Sequence, residues 1–239
     1  MIFQIDLSPT GLMDGLTATL VVSFALAFGI IIFYQAVKRG ASLLKYGAIM
    51  AIFTGLFWLG PTTDLLLVIL GIGHFENRLI YCILGYMWVF PAHFFAMYIG
   101  ADLMLPNKKK IILIVSAILG IVFELFLFLD TANAFNVPPP PEGELVDTHF
   151  EYGHPLFIFV AIFLVTIFIF LVLGSLRAAR KSSGQIRKNF YYLALAFFLF
   201  IPIAVLDGLL DPGPILFVIR ILMIFVAWLI YLSLRIRVE

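Results

Sequence analysis

Three charged residues lie inside apolar stretches long enough to cross a membrane, and they are the clearest candidates for chemistry in this sequence. Glu124, Asp207 and Arg220 each interrupt such a stretch. At the helical rise of about 1.5 Å per residue, Glu124 lies about 9 Å inward from Asp130 and Arg220 about 9 Å inward from Pro214. Asp207 lies about 5 Å inward from Leu210 on the same scale. An arginine keeps its charge in a protein, so its guanidinium needs an acceptor or water. We therefore predict that at least one of the two carboxylates lies within hydrogen-bonding distance of Arg220.

This polar cluster has three interpretations. It is a structural ion pair that joins helices, a site for a ligand or ion, or a set of side chains that reach the lipid headgroups. The first needs only mutual pairing of Arg220 with Glu124, Asp207 or both.

A second group of candidates surrounds a proline in the third apolar stretch. Pro91 removes one helical hydrogen bond, which predicts a kink. Tyr86 and His93 are seven residues apart and share a helix face, with Trp88 nearby. A histidine beside a kink suits a ligand pocket or a switch, although a neutral histidine bonded to a neighbouring helix is the simpler interpretation. Pro202 predicts a corresponding kink in the sixth stretch.

Enzymatic or cofactor chemistry finds little support. No nucleophile elbow or phosphate-binding loop is present, so we expect neither catalytic residues nor a resident metal or cofactor. His149 and His154 with Glu151 could collect a metal, but without metal-ligand spacing. Retinal is excluded because Ile215–Leu234, the last apolar stretch, contains no lysine. A bound lipid or small molecule remains compatible with the sequence.

The composition defines the class of protein that must position these residues. Of 239 residues, 63% are apolar and only 12% are charged, roughly half the charged share of a soluble domain. A soluble enzyme and a nucleic-acid binder are therefore disfavoured, and an all-α polytopic membrane protein is indicated. The single cysteine, Cys82, excludes an intramolecular disulfide.

Seven stretches match the length of about 20 apolar residues that a membrane-spanning helix needs. Their predicted bounds are Leu16–Ala36, Ser42–Gly60, Leu79–Leu103, Ile111–Leu129, Leu156–Leu176, Phe190–Leu210 and Ile215–Leu234. The shorter run Leu65–Ile72 predicts an interfacial helix, a re-entrant helix or a kinked extension of the second span. Asp64, next to Thr62 and Thr63, is predicted to cap this short helix.

Charge predicts the orientation of the bundle. With the N-terminus outside and the C-terminus inside, 13 of the 15 lysines and arginines lie in inner segments, as the positive-inside rule requires. The chain is then one seven-helix domain, residues 1–239, in the cell membrane. It has a short outer tail at Met1–Asp14, an outer loop at 131–154 and an inner linker at 177–189. The loop should fold over the bundle mouth because Phe135, Phe150 and Tyr152 give it apolar anchors.

Short motifs add a resemblance to a known family. Their residues are Asn77-Arg78-Leu79-Ile80-Tyr81, Gly85-Tyr86-Met87-Trp88, Phe90-Pro91-Ala92, Tyr152-Gly153-His154-Pro155, Gln185-Ile186-Arg187-Lys188 and Pro202. Together with the topology, they resemble the seven-transmembrane sensor region at the N-terminus of many microbial histidine kinases. In that family an output domain follows on the same chain, and none follows Ile236 here. The resemblance therefore implies a stand-alone sensor that acts through a separate protein.

Three functions follow as hypotheses. The first is a receptor-like sensor or adaptor core that binds a small ligand or lipid in its outer half and signals through a membrane or cytoplasmic partner or a second copy of itself. The second is a non-catalytic subunit of a larger membrane complex. The third is a transporter or channel, which the odd number of spans and the lack of an internal repeat disfavour.

Overall fold

A computed structural model of the chain describes residues 7–235. Within them, seven helices are long and apolar enough to span a membrane. We number them α1 to α7: Pro9–Lys38, Ser42–Ile69, Leu79–Met104, Pro106–Leu129, Pro155–Lys181, Gly184–Asp207 and Pro214–Leu234. The predicted all-α membrane bundle is confirmed. The first six residues of the predicted tail Met1–Asp14, and Arg237, one of the basic residues counted for the orientation, lie outside the described residues.

Helix starts follow local sequence signals. The Ser8 hydroxyl accepts a hydrogen bond from the Gly11 N–H at 3.0 Å, and Pro9 opens α1. A serine cap followed by proline is a strong start signal because it satisfies one free N–H and needs no donor at the next position. The predicted tail Met1–Asp14 is therefore wrong from Pro9 onward, and Asp14 belongs to a membrane helix. His154 caps α5 in the same way, accepting from the Leu156 N–H at 3.2 Å.

The run after Pro61 is an extension of the second span. In α2, a regular segment Ser42–Gly55 passes through a 3-10 turn at Leu56–Trp58 into a second segment, Leu59–Ile69. Asp64 lies inside that segment and is fully buried, so the capping role predicted for it is wrong.

Two other spans contain irregular turns, and a third continues without interruption past a proline. Helix α3 is interrupted between Leu79–Tyr86 and Val89–Met104, just before Pro91. Helix α5 contains a π-helical turn at Phe168–Leu173 between its two regular segments. Helix α6 continues without interruption from Gly184 to Asp207 although it contains Pro202.

The helices form two connected groups. Helix α1 packs between α2 and α7, and α7 packs on α6. Helix α3 packs against α2, α4 and α5. The larger apolar core lies mainly among α1, α2, α3, α5, α6 and α7. A smaller one lies among α3, α4, α5 and the connection between α4 and α5, residues 130–154, which we call the long loop.

The two ends of the bundle differ in charge. One end, which we call the acidic end, is formed by the start of α1 and by residues 70–78, 130–154 and 208–213. The opposite end, which we call the basic end, is formed by residues 39–41, 105–108 and 182–183. The predicted inner linker 177–189 is mostly helical, since α5 continues to Lys181 and α6 begins at Gly184. Which end faces outside remains a prediction.

The long loop folds back over the acidic end. Its strands β1, Phe135–Asn136, and β2, His149–Phe150, pair antiparallel. The Ser8 N–H donates to the Gly143 carbonyl at 2.8 Å, which ties the loop to the start of α1. Phe135 is buried and stacks near Phe150 at a centroid distance of 4.8 Å, so these two anchors are confirmed. Tyr152 is 60% exposed and does not act as a buried anchor.

Candidate ligand-binding site

Arg220 is the centre of a buried ion cluster near the acidic end. Only 5% of the residue is exposed. Its Nε donates to Asp207 Oδ1 at 3.1 Å. Its Nη1 lies 2.6 Å from Asp14 Oδ1 in an ion pair and donates to the Asp14 carbonyl at 2.8 Å. The predicted pairing of Arg220 with Asp207 is confirmed, and the cluster joins α1, α6 and α7.

Asp207 is held from a second side. Its Oδ2 accepts a hydrogen bond from Trp58 Nε1 at 3.1 Å, and Trp58 itself is buried in α2. Each carboxylate oxygen thus has a different donor, which fixes the orientation of the side chain. Asp207 links the arginine cluster to the helices around the adjoining cavity.

Glu124 does not join this cluster, so of the two carboxylates predicted for Arg220 only Asp207 pairs with it, and the predicted cluster of all three residues is wrong. Glu124 is on α4, which packs against α3 and α5, whereas Arg220 is on α7, which packs against α1 and α6. Similar depth along a helix does not fix the direction in which a side chain points. Neither carboxylate oxygen of Glu124 has a hydrogen-bond partner among residues 7–235, although both are shielded from solvent.

A cavity of about 220 Å³ lies beside Asp207. Its walls come from α2, α3, α5 and α6, and its rim comes from the long loop and the turn after α6. The residues that line it are Met50, Thr54, Phe57, Trp58, Tyr86, Val89, Ala92, His93, Ala96, Phe150, Tyr152, Phe157, Val160, Ala161, Phe163, Leu164, Ile167, Phe197, Phe200, Ala204, Val205, Asp207, Gly208 and Leu209. The wall is therefore aromatic and aliphatic with a few polar groups, as in small-molecule sites.

His93 supplies one of those polar groups. It is only 2% exposed, and its ring stacks on Phe163 with centroids 4.2 Å apart. Within the part of the chain that the structure describes, its Nδ1 has no hydrogen-bond partner. The simpler expectation is a histidine bonded to a neighbouring helix, and Nδ1 makes no such bond within the described residues.

Tyr86 lies on the same wall, toward the acidic end. Its ring stacks with Phe135 and meets Phe150 edge-on, at centroid distances of 4.7 Å in both cases. The cavity therefore brings together Tyr86 and His93 of one predicted group and Asp207 of the other. Sequence spacing placed Tyr86 and His93 on one face but could not place Asp207 opposite them.

The other members of the predicted pocket do not line the cavity. Trp88 stacks on Phe53 with centroids 5.7 Å apart, and its Nε1 is buried with no partner in the described range. Pro91 lies next to the break in α3, and Pro202 lies within the continuous helix α6. These three residues shape helices around the cavity without forming its wall.

The buried Asp64 of α2 binds groups from the segment after α2 and from the long loop. Asp64 accepts from the Val146 N–H at 2.9 Å and the Phe75 N–H at 3.3 Å, and pairs with His74 Nδ1 at 2.9 Å. These contacts seal the loop against α2. The partners are far from Asp64 in sequence, so no local pattern could have revealed them.

The histidines of the loop separate into two environments. His154 Nε2 donates to Asp130 Oδ2 at 3.1 Å, because its Nδ1 is the acceptor that caps α5. The hydrogen bonds from His154 and Asn133 hold the pKa of Asp130 below its usual range. His149 instead lies beside Asp147, and burial raises the pKa of the Asp147 carboxyl. The grouping of His149, His154 and Glu151 considered from sequence is not the one that the fold assembles.

Comparison with known proteins adds no family. A scan against protein-family models found no family that matches the chain, and a search of curated proteins found no match. The resemblance to histidine-kinase sensor regions therefore stays a prediction.

Proposed function

We propose that the chain is a receptor-like membrane protein that binds a small, mainly apolar molecule in the cavity beside His93. The observation that carries this proposal is the cavity itself, with a buried and unpartnered imidazole nitrogen in an aromatic wall. A buried polar atom without a partner costs about 1–3 kcal/mol. A ligand that hydrogen-bonds to His93 Nδ1 would recover part of that cost.

The volume limits the size of the ligand. An apolar cavity of about 150 Å³ accommodates benzene, and this one measures about 220 Å³. A single aromatic ring with a short substituent fits that space, whereas a complete phospholipid does not. The aromatic wall supplies the contact area, and His93 and the Asp207 edge supply the few polar contacts that orient the ligand.

Helix α3 provides a route from binding to a conformational response. The cavity is lined by Tyr86 before the break in α3 and by Val89, Ala92 and His93 after it. A ligand that contacts both segments would favour one angle between them, which shifts the equilibrium between bundle conformations. At the basic end, Arg177 of α5 donates to the Met104 carbonyl of α3 at 2.8 Å. Movement of α3 would reach a separate partner protein at that end.

In this proposed receptor the acidic end faces the outside of the cell membrane. A cysteine placed at the exposed Glu142 should react with an impermeant maleimide added to intact cells, and one placed at the exposed Ser183 should react only after permeabilisation. The native Cys82 is buried and serves as the unreactive background. The reverse pattern would show that the basic end is outside.

Binding is tested with the purified chain in mild detergent and a panel of monocyclic alkylphenols and alkylimidazoles. We expect saturable quenching or enhancement of tryptophan fluorescence and a rise in the thermal unfolding midpoint. Ala161→Phe adds a phenyl ring at an exposed position on the cavity wall and should abolish both signals. Ala27→Phe makes the same change at an exposed position of α1 that does not line the cavity. Equal signals in both variants would contradict binding in this cavity.

His93→Phe separates the polar contact from the apolar one. The phenyl ring keeps the stacking on Phe163 but cannot accept or donate through nitrogen. Affinity for the probes that hydrogen-bond to nitrogen should fall by about 2- to 10-fold, the equivalent of one neutral hydrogen bond. Affinity for purely apolar analogues should be unchanged.

A further inference from the structure

A cluster of potential metal ligands lies at the rim of the cavity and takes no part in the proposed ligand contact. Asp147 and His149 come from the long loop, and Asp211 comes from the turn between α6 and α7. One ligand atom from each of the three lies within 4.8 Å of the others. Two separate loops therefore converge on one point with an imidazole and two carboxylates.

The separations within the cluster match those around a metal ion. His149 Nε2 lies 3.3 Å from Asp211 Oδ1 and 3.6 Å from Asp147 Oδ2. Ligands held about 2.1 Å from a tetrahedral zinc ion lie about 3.4 Å from each other. Direct hydrogen bonds would bring nitrogen and oxygen to about 2.9 Å. The three side chains thus surround a small space instead of bonding directly to each other.

The charge of the cluster also favours a cation. Arg220 is paired with Asp14 and Asp207, and within residues 7–235 neither Asp147 nor Asp211 forms an ion pair with a lysine or arginine. Asp147 and Asp211 bring two carboxyl groups to one small site beside a single imidazole. A divalent ion would balance them.

We infer that Asp147, His149 and Asp211 form a binding site for a divalent transition-metal ion of the zinc class, with water completing the coordination. Imidazole nitrogen is a preferred ligand of such ions, whereas calcium and magnesium take oxygen ligands almost exclusively. The site does not depend on the proposed receptor function, because the three side chains converge without any cavity ligand.

The position of the site gives the ion a further effect. Phe150 follows His149 directly, and Leu209 lies two residues before Asp211, and both line the cavity. An ion held by the three side chains would clamp the long loop to the turn after α6. The rim of the cavity would then open less often, and exchange of a cavity ligand would slow.

Titration of the purified full chain with Zn²⁺, followed by calorimetry, tests the site. We expect saturable binding of one ion per chain, and intense visible absorption when Co²⁺ replaces Zn²⁺. His149→Ala and Asp211→Asn should each weaken binding at least about tenfold. Glu151→Gln changes an exposed acid two residues from His149 and should leave the affinity unchanged. Ca²⁺ should not compete.

The Asp211→Asn variant distinguishes loss of a metal ligand from misfolding. Its side chain is 89% exposed, so Asp211→Asn should leave the thermal midpoint of the metal-free protein unchanged. Zn²⁺ binding that is as tight in both His149→Ala and Asp211→Asn as in the original chain would overturn the inference. No saturable binding below about 1 mM, a free energy near −4 kcal/mol, would also overturn it. Neither result concerns the cavity, whose ligand is tested separately.

Discussion

The Arg220 cluster and the region around His93 and Glu124 are both buried, but their polar atoms are in opposite states. Arg220, Asp207 and Trp58 satisfy one another across α2, α6 and α7. His93 Nδ1 and both Glu124 oxygens have no partner in the described residues. Satisfied networks stabilise a structure, whereas unsatisfied groups are a cost that persists only when something else requires them. The ion cluster therefore contributes to stability, whereas the unsatisfied atoms around His93 support the binding role proposed above.

The largest effect should follow from breaking the ion cluster at its centre. Arg220→Ala strands Asp14 and Asp207 without their shared cation, and it should lower the free energy of unfolding by about 3–5 kcal/mol. Reversible unfolding in mixed micelles with increasing denaturing detergent measures the loss. Arg177→Ala at the basic end removes an exposed hydrogen bond to Met104 and is the matched control, with a loss below about 1 kcal/mol. Similar losses in the two variants would show that the Arg220 cluster stabilises the fold no more than one exposed hydrogen bond does.

Removing one carboxylate charge from the cluster should have an intermediate effect. Asp14→Asn keeps the backbone carbonyl that accepts from Arg220 but loses the ion pair, so we expect a loss of about 1.5–3 kcal/mol. Asp102→Asn makes the same change in a half-exposed pair with Lys109 and should cost less than about 1 kcal/mol. The same unfolding assay compares them, and equal losses would contradict the difference in burial.

A substitution at the unsatisfied Glu124 should stabilise the protein, in contrast to the substitutions in the Arg220 cluster. Glu124→Leu replaces a carboxyl without partners by an apolar group of similar volume. We expect the free energy of unfolding to rise by about 1 kcal/mol. Glu124→Gln keeps the polarity and should show less gain. A clear destabilisation by Glu124→Leu would mean that Glu124 has a stabilising partner and does not belong with the unsatisfied group.

The smallest effect concerns Asp130, a satisfied carboxylate outside the spans. Because hydrogen bonds lower its pKa in the folded state, its contribution to stability is present above the unfolded pKa of about 4 and is lost as the pH falls through the lower folded value. In Asp130→Asn, the decline of the unfolding midpoint below about pH 4 should be slightly shallower than in the original chain. Parallel pH profiles of the two proteins would show that Asp130 contributes nothing.

The sequence predicts the bundle better than the site, for a physical reason. Span length and apolar composition are local properties, so all seven spans are predicted. Their ends are less accurate, since α1 starts at Pro9 instead of Leu16 and α2 ends at Ile69 instead of Gly60. The pairing of Arg220 with Asp207 was also accessible, because a buried arginine requires an acceptor. The role of Asp14 was not predicted. The Ser8 cap and Pro9 start α1 before the expected Leu16, and this places Asp14 inside the helix instead of in the tail.

Other features depend on distances that no local pattern encodes. Sequence could not show that Glu124 points away from Arg220, because depth along a helix does not give the rotation about its axis. Asp64 and the cluster of Asp147, His149 and Asp211 are assembled by loops that are far apart in sequence. The volume of the cavity depends on how side chains of four helices fill the space between them.

The π-helical turn at Phe168–Leu173 has a consequence for how the length of this chain can vary. A π turn contains one residue more than the helix needs, so the segments on either side keep the faces of an ordinary helix. Gly100 leaves room for it, since a Cβ there would lie 2.8 Å from the carbonyl carbon of Phe170. Loss of one residue within the turn would restore a regular helix and leave Phe163 and Arg177 on their present sides. A deletion elsewhere in α5 would rotate one of them by about 100°, so homologous chains should differ in length at this turn before any other point of the helix.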